Sequence, residues 1–91
     1  MQIINPILIK DRSVIKVSGK DSFDFLQSIV TADINLINSS SSVGSCILTP
    51  QGRILFDFMI SRNSNNSNSS FLIDCISEEV DELIAKLNIY K

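Results

Sequence analysis

A chain of 91 residues carrying eight basic and ten acidic side chains, net charge −2, is long enough for one domain with a modest core. It offers no basic stripe to hold a nucleic acid. It contains no histidine, so zinc sites of the common kinds and Ser-His or Cys-His catalysis lack a ligand or a base. Cys46 and Cys75 stand alone, without a metal-type spacing or a C-x-x-C pair. No apolar run approaches the length that crosses a bilayer. The opening MQIINPILIKDR has neither the basic start and apolar stretch of a signal peptide nor the arginines of a transit peptide, so a cytoplasmic chain is expected.

Ile3 to Ile9 is apolar but interrupted by Pro6, which makes it an edge strand or a lead-in. Ser13 to Ser18 alternates as a strand, with Ile15 and Val17 on one face and Lys16 and Ser18 on the other. Ser18 and Asp21 have the spacing of a capping box and should open a helix of two to three turns that places Phe23, Leu26 and Val30 on one side. Thr31 and Asp33 are poor helix residues and should end it by capping or in an Asx-type turn. After a polar loop at Asn38 to Ser42, Val43 to Ile60 reads as a β-hairpin. Pro50 takes the second and Gly52 the fourth position of its turn. Beyond the turn, Ile54, Phe56, Phe58 and Ile60 share one face, and Leu55, Asp57 and Met59 the other.

Arg62 to Ser70 is nearly all Asn and Ser and reads as a loop that buries nothing. Phe71 to Ile76 follows as a short buried strand. Ser77 should cap a second helix whose first turn is acidic and whose stripe is Val80, Leu83, Ile84 and Leu87. The order β-α-β-β-β-α makes an α+β domain, an antiparallel sheet with two helices.

Few residues here could carry chemistry. Asp57 lies on a strand between Leu55 and Met59, where an ionised carboxylate is costly unless it is paired or bound to something. It could accept hydrogen bonds from the amino and ring N–H groups of a pterin. Alternatively it faces water, or pairs with Arg53 or Lys16. Asp74, in the otherwise apolar strand FLIDC, is open to the same reading, or it ends the strand and helps to start the next helix. Arg53, just after the turn, is either an anion-binding group or a solvated hairpin charge. Glu78, Glu79, Asp81 and Glu82 are read as a solvated helix face, and Cys46 as a small buried hydrophobe.

The motifs also form an ordered set. Arg12-Ser13-Val14-Ile15-Lys16-Val17-Ser18-Gly19-Lys20-Asp21, Phe25-Leu26-Gln27 with Thr31-Ala32-Asp33, Leu48-Thr49-Pro50-Gln51-Gly52-Arg53 with Phe56-Asp57, Phe71-Leu72-Ile73-Asp74, and Leu87-Asn88-Ile89-Tyr90-Lys91 come in sequence over nearly all of the chain. In that order and spacing the chain resembles the N-terminal part of YgfZ-like folate-binding proteins, in the superfamily of the glycine-cleavage T-protein, an aminomethyltransferase. The resemblance implies a partial aminomethyltransferase-like fold, tetrahydrofolate as ligand, and an accessory role in iron–sulfur cluster assembly or repair. Bacterial relatives are linked to tRNA modification, and a eukaryotic member would work in the mitochondrial matrix. It also implies folate contacts at Asp57 and Asp74; the anion that Arg53 could bind is then a glutamyl tail.

Three departures from the pattern bear on function. The transferase has two adjacent acids on the strand after the glycine turn, and here Phe56 replaces the first, which argues against aminomethyl transfer. Some members place a folate-contacting Trp near the start of the first motif, where this chain has Arg12. The family's later K-G-C-Y-x-G-Q-E motif is absent, so the expectation is an N-terminal piece, residues 1–91, of a split, degraded or cloned gene, with the C-terminal domains absent. Partners would then be a reduced folate, iron–sulfur proteins and the missing C-terminal half. The alternatives are a one-carbon transferase and a small α+β module whose sheet binds a partner chain.

Overall fold

The computed structural model describes residues 1–8, 11–38, 40–63 and 68–91, with backbone alone for residues 6–8. Ile9 of the expected first strand, Ser39 of the polar loop, and residues 64–67 of the Asn/Ser stretch lie outside the described residues. Five strands, β1 (Gln2–Leu8), β2 (Arg12–Ser18), β3 (Ser42–Leu48), β4 (Ile54–Arg62) and β5 (Ser70–Ile76), form one sheet in the order β1-β2-β5-β4-β3. Every adjacent pair is antiparallel. Two helices, α1 (Ser22–Ile29) and α2 (Val80–Tyr90), and short 3₁₀ turns at Ile34–Leu36 and Ser77–Glu79 complete the α+β architecture.

Of the two readings of the opening segment the edge strand holds: it is β1, one strand more than the six-element order. Pro6 falls in the register shift between Ile4 and Ile7, and β1 is an edge strand, the position where a missing N–H is tolerated. β5 lies between β2 and β4, although α1, β3 and β4 separate it from β2 along the chain. Its pairing with β2 runs from Arg12 opposite Ile76 to Ser18 opposite Ser70 and closes the sheet.

Alternation gives the sheet two unlike faces. Ile15 and Val17, Phe71, Ile73 and Cys75, and Phe56, Phe58 and Ile60 point toward the helices and are buried. Leu26, Val30, Ile34, Ile37, Val80, Leu83 and Leu87 cover them. α2 packs over β1 and β2, and α1 over β5. The α2 stripe is as the spacing predicts: Val80, Leu83 and Leu87 are buried and Ile84 partly so.

The starts of the helices differ from expectation. Ser18 ends β2 and caps nothing; Asp21 is the N-cap of α1 and makes no side-chain cap bond. The chain turns instead at Gly19, whose φ of 127° suits glycine, and the Ser22 N–H donates to the Gly19 carbonyl at 3.0 Å. A Cβ at Gly19 would stand 2.8 Å from the Met1 Cα, so the turn also needs glycine for space. Ser77 opens the 3₁₀ turn ahead of α2, and its hydroxyl accepts from Ser13 at 3.0 Å.

The motif residues after α1 stitch loops. Gln27 donates from Nε2 to the Ala32 carbonyl at 2.7 Å and accepts from the Ile34 N–H at 2.8 Å. Thr31 joins the free edge of β3: its N–H donates to the Cys46 carbonyl and its hydroxyl accepts from the Cys46 N–H. Asp33 accepts from the Asn35 N–H at 3.0 Å, an Asx turn as expected. In the hairpin, Gly52 donates to the Thr49 carbonyl at 2.9 Å with φ at 85°, closing the turn that Pro50 begins.

Candidate functional site

Among the described residues the second sheet face has no helix over it. It presents Val14, Lys16, Leu72 and Asp74 from the middle of the sheet, and Cys46, Asp57 and Met59 from the β3–β4 hairpin. β4 pairs with β5 only from Met59 opposite Asp74 to Arg62 opposite Phe71. Before Met59 the two strands are not paired, and a groove of about 290 Å³ lies there, lined by Arg12, Gly44, Ser45, Asp57, Phe58, Met59 and Ile76. Continuing the register puts Asp57 level with Ile76, which is opposite Arg12. An acid and a base therefore flank one apolar residue in a row across the sheet.

Asp57 sits on the groove wall and is exposed, as the water-facing alternative has it, because nothing among the described residues covers this face of β4. Among the described residues it has no hydrogen-bond or ion-pair partner, and neither Arg53 nor Lys16 neutralises it. Met59 and Ile76, 40% and 41% exposed, form the apolar floor beside it. Gly44 leaves that floor open on the β3 side, where an added Cβ would touch the Met59 sulfur at 3.6 Å.

Asp74 occupies the middle of β5 and ends nothing. Its Oδ1 accepts from Arg12 Nε at 2.9 Å and its carbonyl accepts from Arg12 Nη2 at 3.1 Å. The two side chains are 50% and 43% exposed, so the pair fixes a geometry more than it adds stability. Asp74 thus reaches the groove through Arg12, while Arg12 itself lines it. Arg53 stands at the hairpin end, four residues before Asp57 and about 13 Å along an extended strand. Its side chain is exposed and outside the groove lining.

Sequence reasoning missed Arg12 and Arg62. Arg12 stood only as the first residue of a motif and the occupant of a tryptophan position; its value comes from β5 returning beside β2, which no local pattern shows. Arg62, assigned to the loop, is the last residue of β4. Its Nε donates to the Ile37 carbonyl at 2.7 Å, and its guanidinium lies 5.2 Å from the Phe71 ring centre. It ties the 3₁₀ turn to the core. An arginine extending an alternating strand was the available signal.

The cysteines cannot serve one site. Cys46 is half-exposed on the open face, not buried as expected, with its sulfur 3.4 Å from the Thr31 hydroxyl. Cys75 is buried on the helix-covered face. Burial pushes the Cys75 thiol up from its ordinary value of 9.0; nearby Arg12 pulls it partly back, and Asp74 and Glu79 push it up. It is a neutral core residue. Among the described residues no group of three Cys, Asp or Glu side chains is placed to hold a metal ion, and no helix is long and apolar enough to cross a membrane.

The arrangement is that of a small α+β domain presenting a half-open, mostly apolar groove with one unpaired carboxylate and one pinned guanidinium. No protein-family model matches the chain. The chain is similar to proteins named as mitochondrial iron–sulfur cluster assembly factor IBA57 homologs. It is 34% identical over 83 residues to that of Pyricularia oryzae, 32% over 105 residues to that of Dictyostelium discoideum, and 32% over 89 residues to that of Mycosarcoma maydis. These matches take in 91%, 91% and 88% of the chain but 21%, 26% and 22% of the relatives. The chain therefore spans about a fifth to a quarter of the length of the curated relatives it matches. Cluster assembly is the function in those relatives' names.

Proposed function

We propose that this chain contributes to iron–sulfur cluster assembly, in mitochondria as its relatives' names indicate, and that it does so as part of a reduced-folate-binding protein. The observation that carries the folate reading is Asp57: an unpaired carboxylate on a groove floored by Met59 and Ile76. A pterin fits that chemistry. Its flat ring covers the apolar floor, and its amino and ring N–H groups donate to the carboxylate in a charge-assisted pair of hydrogen bonds. To Arg53, at the hairpin end and outside the groove lining, we assign the carboxylates of a glutamyl tail. The groove is open on one side, so the remainder of a longer protein, or an iron–sulfur partner, completes the enclosure.

One-carbon transfer is the weaker reading. Phe56, where the transferase pattern has its first acid, is turned into the core and 5% exposed, so only Asp57 faces the groove. The test is a calorimetric titration of the chain with tetrahydrofolate, alone and with the remaining portion of a relative supplied in trans. Saturable binding that Asp57→Asn weakens about tenfold supports the reading, the size expected for losing a charge-assisted hydrogen bond. No binding in either format overturns it.

A further inference from the structure

We infer that Arg12 is a specificity-determining residue of the groove: it reads a carbonyl oxygen on the ring that Asp57 holds, and Asp74 positions it to do so. The inference rests on the pterin reading above and extends it to a residue that the motif comparison left without a role.

Arg12 is the only cation among the groove-lining residues. Its orientation is set from behind, because Nε and Nη2 are both committed to Asp74. Its Nη1 amino group has no partner among the described residues. A guanidinium is planar, so fixing one edge fixes the direction of the remaining donors. Asp57 and Arg12 lie in one row across the sheet with Ile76 between them. Paired strands are spaced about 4.8 Å apart and β4 has parted from β5 here, so the two Cα atoms are more than about 10 Å from each other. That leaves room for one flat ring system between the two side chains, and the groove volume of about 290 Å³ is of the same scale.

The two charges ask for opposite things of a ring. The Asp57 carboxylate only accepts, so it takes an edge bearing an amino group and a ring N–H. The Arg12 guanidinium only donates, so it takes an oxygen. A 2-amino-4-oxo pteridine offers both edges side by side. A 2,4-diamino pteridine has no N–H at N3; it meets Asp57 through its 2-amino group and a protonated N1, with the ring turned over, and has no oxygen to give Arg12, so a site built to hydrogen-bond an oxygen rejects it. The Arg12–Asp74 pair is thus more than a cross-strand contact: it holds a donor ready at the groove wall before ligand arrives.

The experiment is a titration of the 91-residue chain with a matched pair of pteroylglutamates in the same reduction state, one 2-amino-4-oxo and one 2,4-diamino. The wild-type chain should prefer the 4-oxo compound about tenfold or more. Arg12→Gln should bring the ratio close to one by weakening the 4-oxo compound alone. Asp74→Asn, which keeps Arg12 but loosens it, should lower the ratio part of the way. Asp57→Asn should weaken both compounds and leave the ratio intact. Circular dichroism and urea midpoints establish that each variant is folded. Equal binding of the pair by the wild-type chain overturns the role of Arg12 while leaving the pterin reading standing, and so does an Arg12→Gln effect that is the same for both compounds or absent. Failure of the folded wild-type chain to bind either compound, both alone and with the remaining portion of a relative supplied in trans, overturns both.

Discussion

The two faces of the sheet are built from the same strands and have opposite fates. On the helix side, Ile15, Val17, Phe71 and Ile73 are fully buried, in contact with residues from both helices. On the other side, one residue along from each, Val14, Lys16, Leu72 and Asp74 remain partly exposed, and Met59 and Asp57 more so. The first face is a finished core, and its charged groups are excluded or fully engaged, as with Arg62. The second holds an unpaired acid, a pinned base and apolar side chains together, a mixture that makes little sense as packing and good sense as recognition. Stability lives on one face and the binding site we propose lies on the other, and a one-residue step along a strand crosses between them.

The sharpest break of this contrast is to move the acid by one position. Phe58→Asp sets an unpaired carboxylate in the core, at a cost of several kcal/mol that is comparable with the whole stability of a small domain. The expected outcome is a chain without a cooperative urea transition. Asp57→Asn, the neighbouring change on the open face, should shift stability by about 0.5 kcal/mol or less in the same measurement. If the two variants were equally stable, the division between the faces would be wrong.

A middle-sized effect is expected at the rim of the core. Arg62→Met keeps the apolar stem but removes the donors to Ile37 and Asn68 and the cation over Phe71. The loss should be about 2 kcal/mol, read as a lower urea midpoint with an unchanged slope. It should leave pteridine affinity alone, since Arg62 faces away from the groove. A variant that binds less but melts normally would place Arg62 in the site.

The smallest effect concerns pH. Because burial raises the Cys75 thiol, the folded chain keeps that proton to higher pH than the unfolded chain, whose thiol titrates near the ordinary 9.0. The contribution is therefore complete below about pH 9 and is lost as pH rises through the folded value. Between about pH 8 and pH 10, wild-type stability should fall more steeply than that of Cys75→Ala. Parallel profiles would mean that the thiol is not protected by burial.

Much of this molecule was legible along the chain. The hairpin turn at Thr49 to Arg53 follows from Pro50 and Gly52, and the α2 stripe from the spacing of Val80, Leu83 and Leu87. The placement of Asp57 opposite the core face follows from alternation alone. Local capping was less legible. Ser18 and Asp21 have the right spacing for a box, but Gly19 between them makes a tighter turn and ends the strand first. The Asn/Ser composition after Arg62 hid the end of β4, because the arginine pattern belongs to the strand and the composition to the loop.

The candidate site divides in the same way. Asp57 could be named from its strand; its lack of a partner and its exposure could not, since both depend on what lies across the sheet and above it. Asp74 could be named as an unusual acid in an apolar strand, but its engagement with Arg12 required β5 to return beside β2 across 62 residues.

Periodicity and turn chemistry, which act over a few residues, determined the elements, the buried face and the acid on the other face. Strand order determined the rest: the insertion of β5 between β2 and β4, the parting of β4 from β5 before Met59 that leaves a groove, and the meeting of Arg12 with Asp74 at its wall. Such contacts are set by the packing free energy of the whole sheet, which no short window of sequence contains.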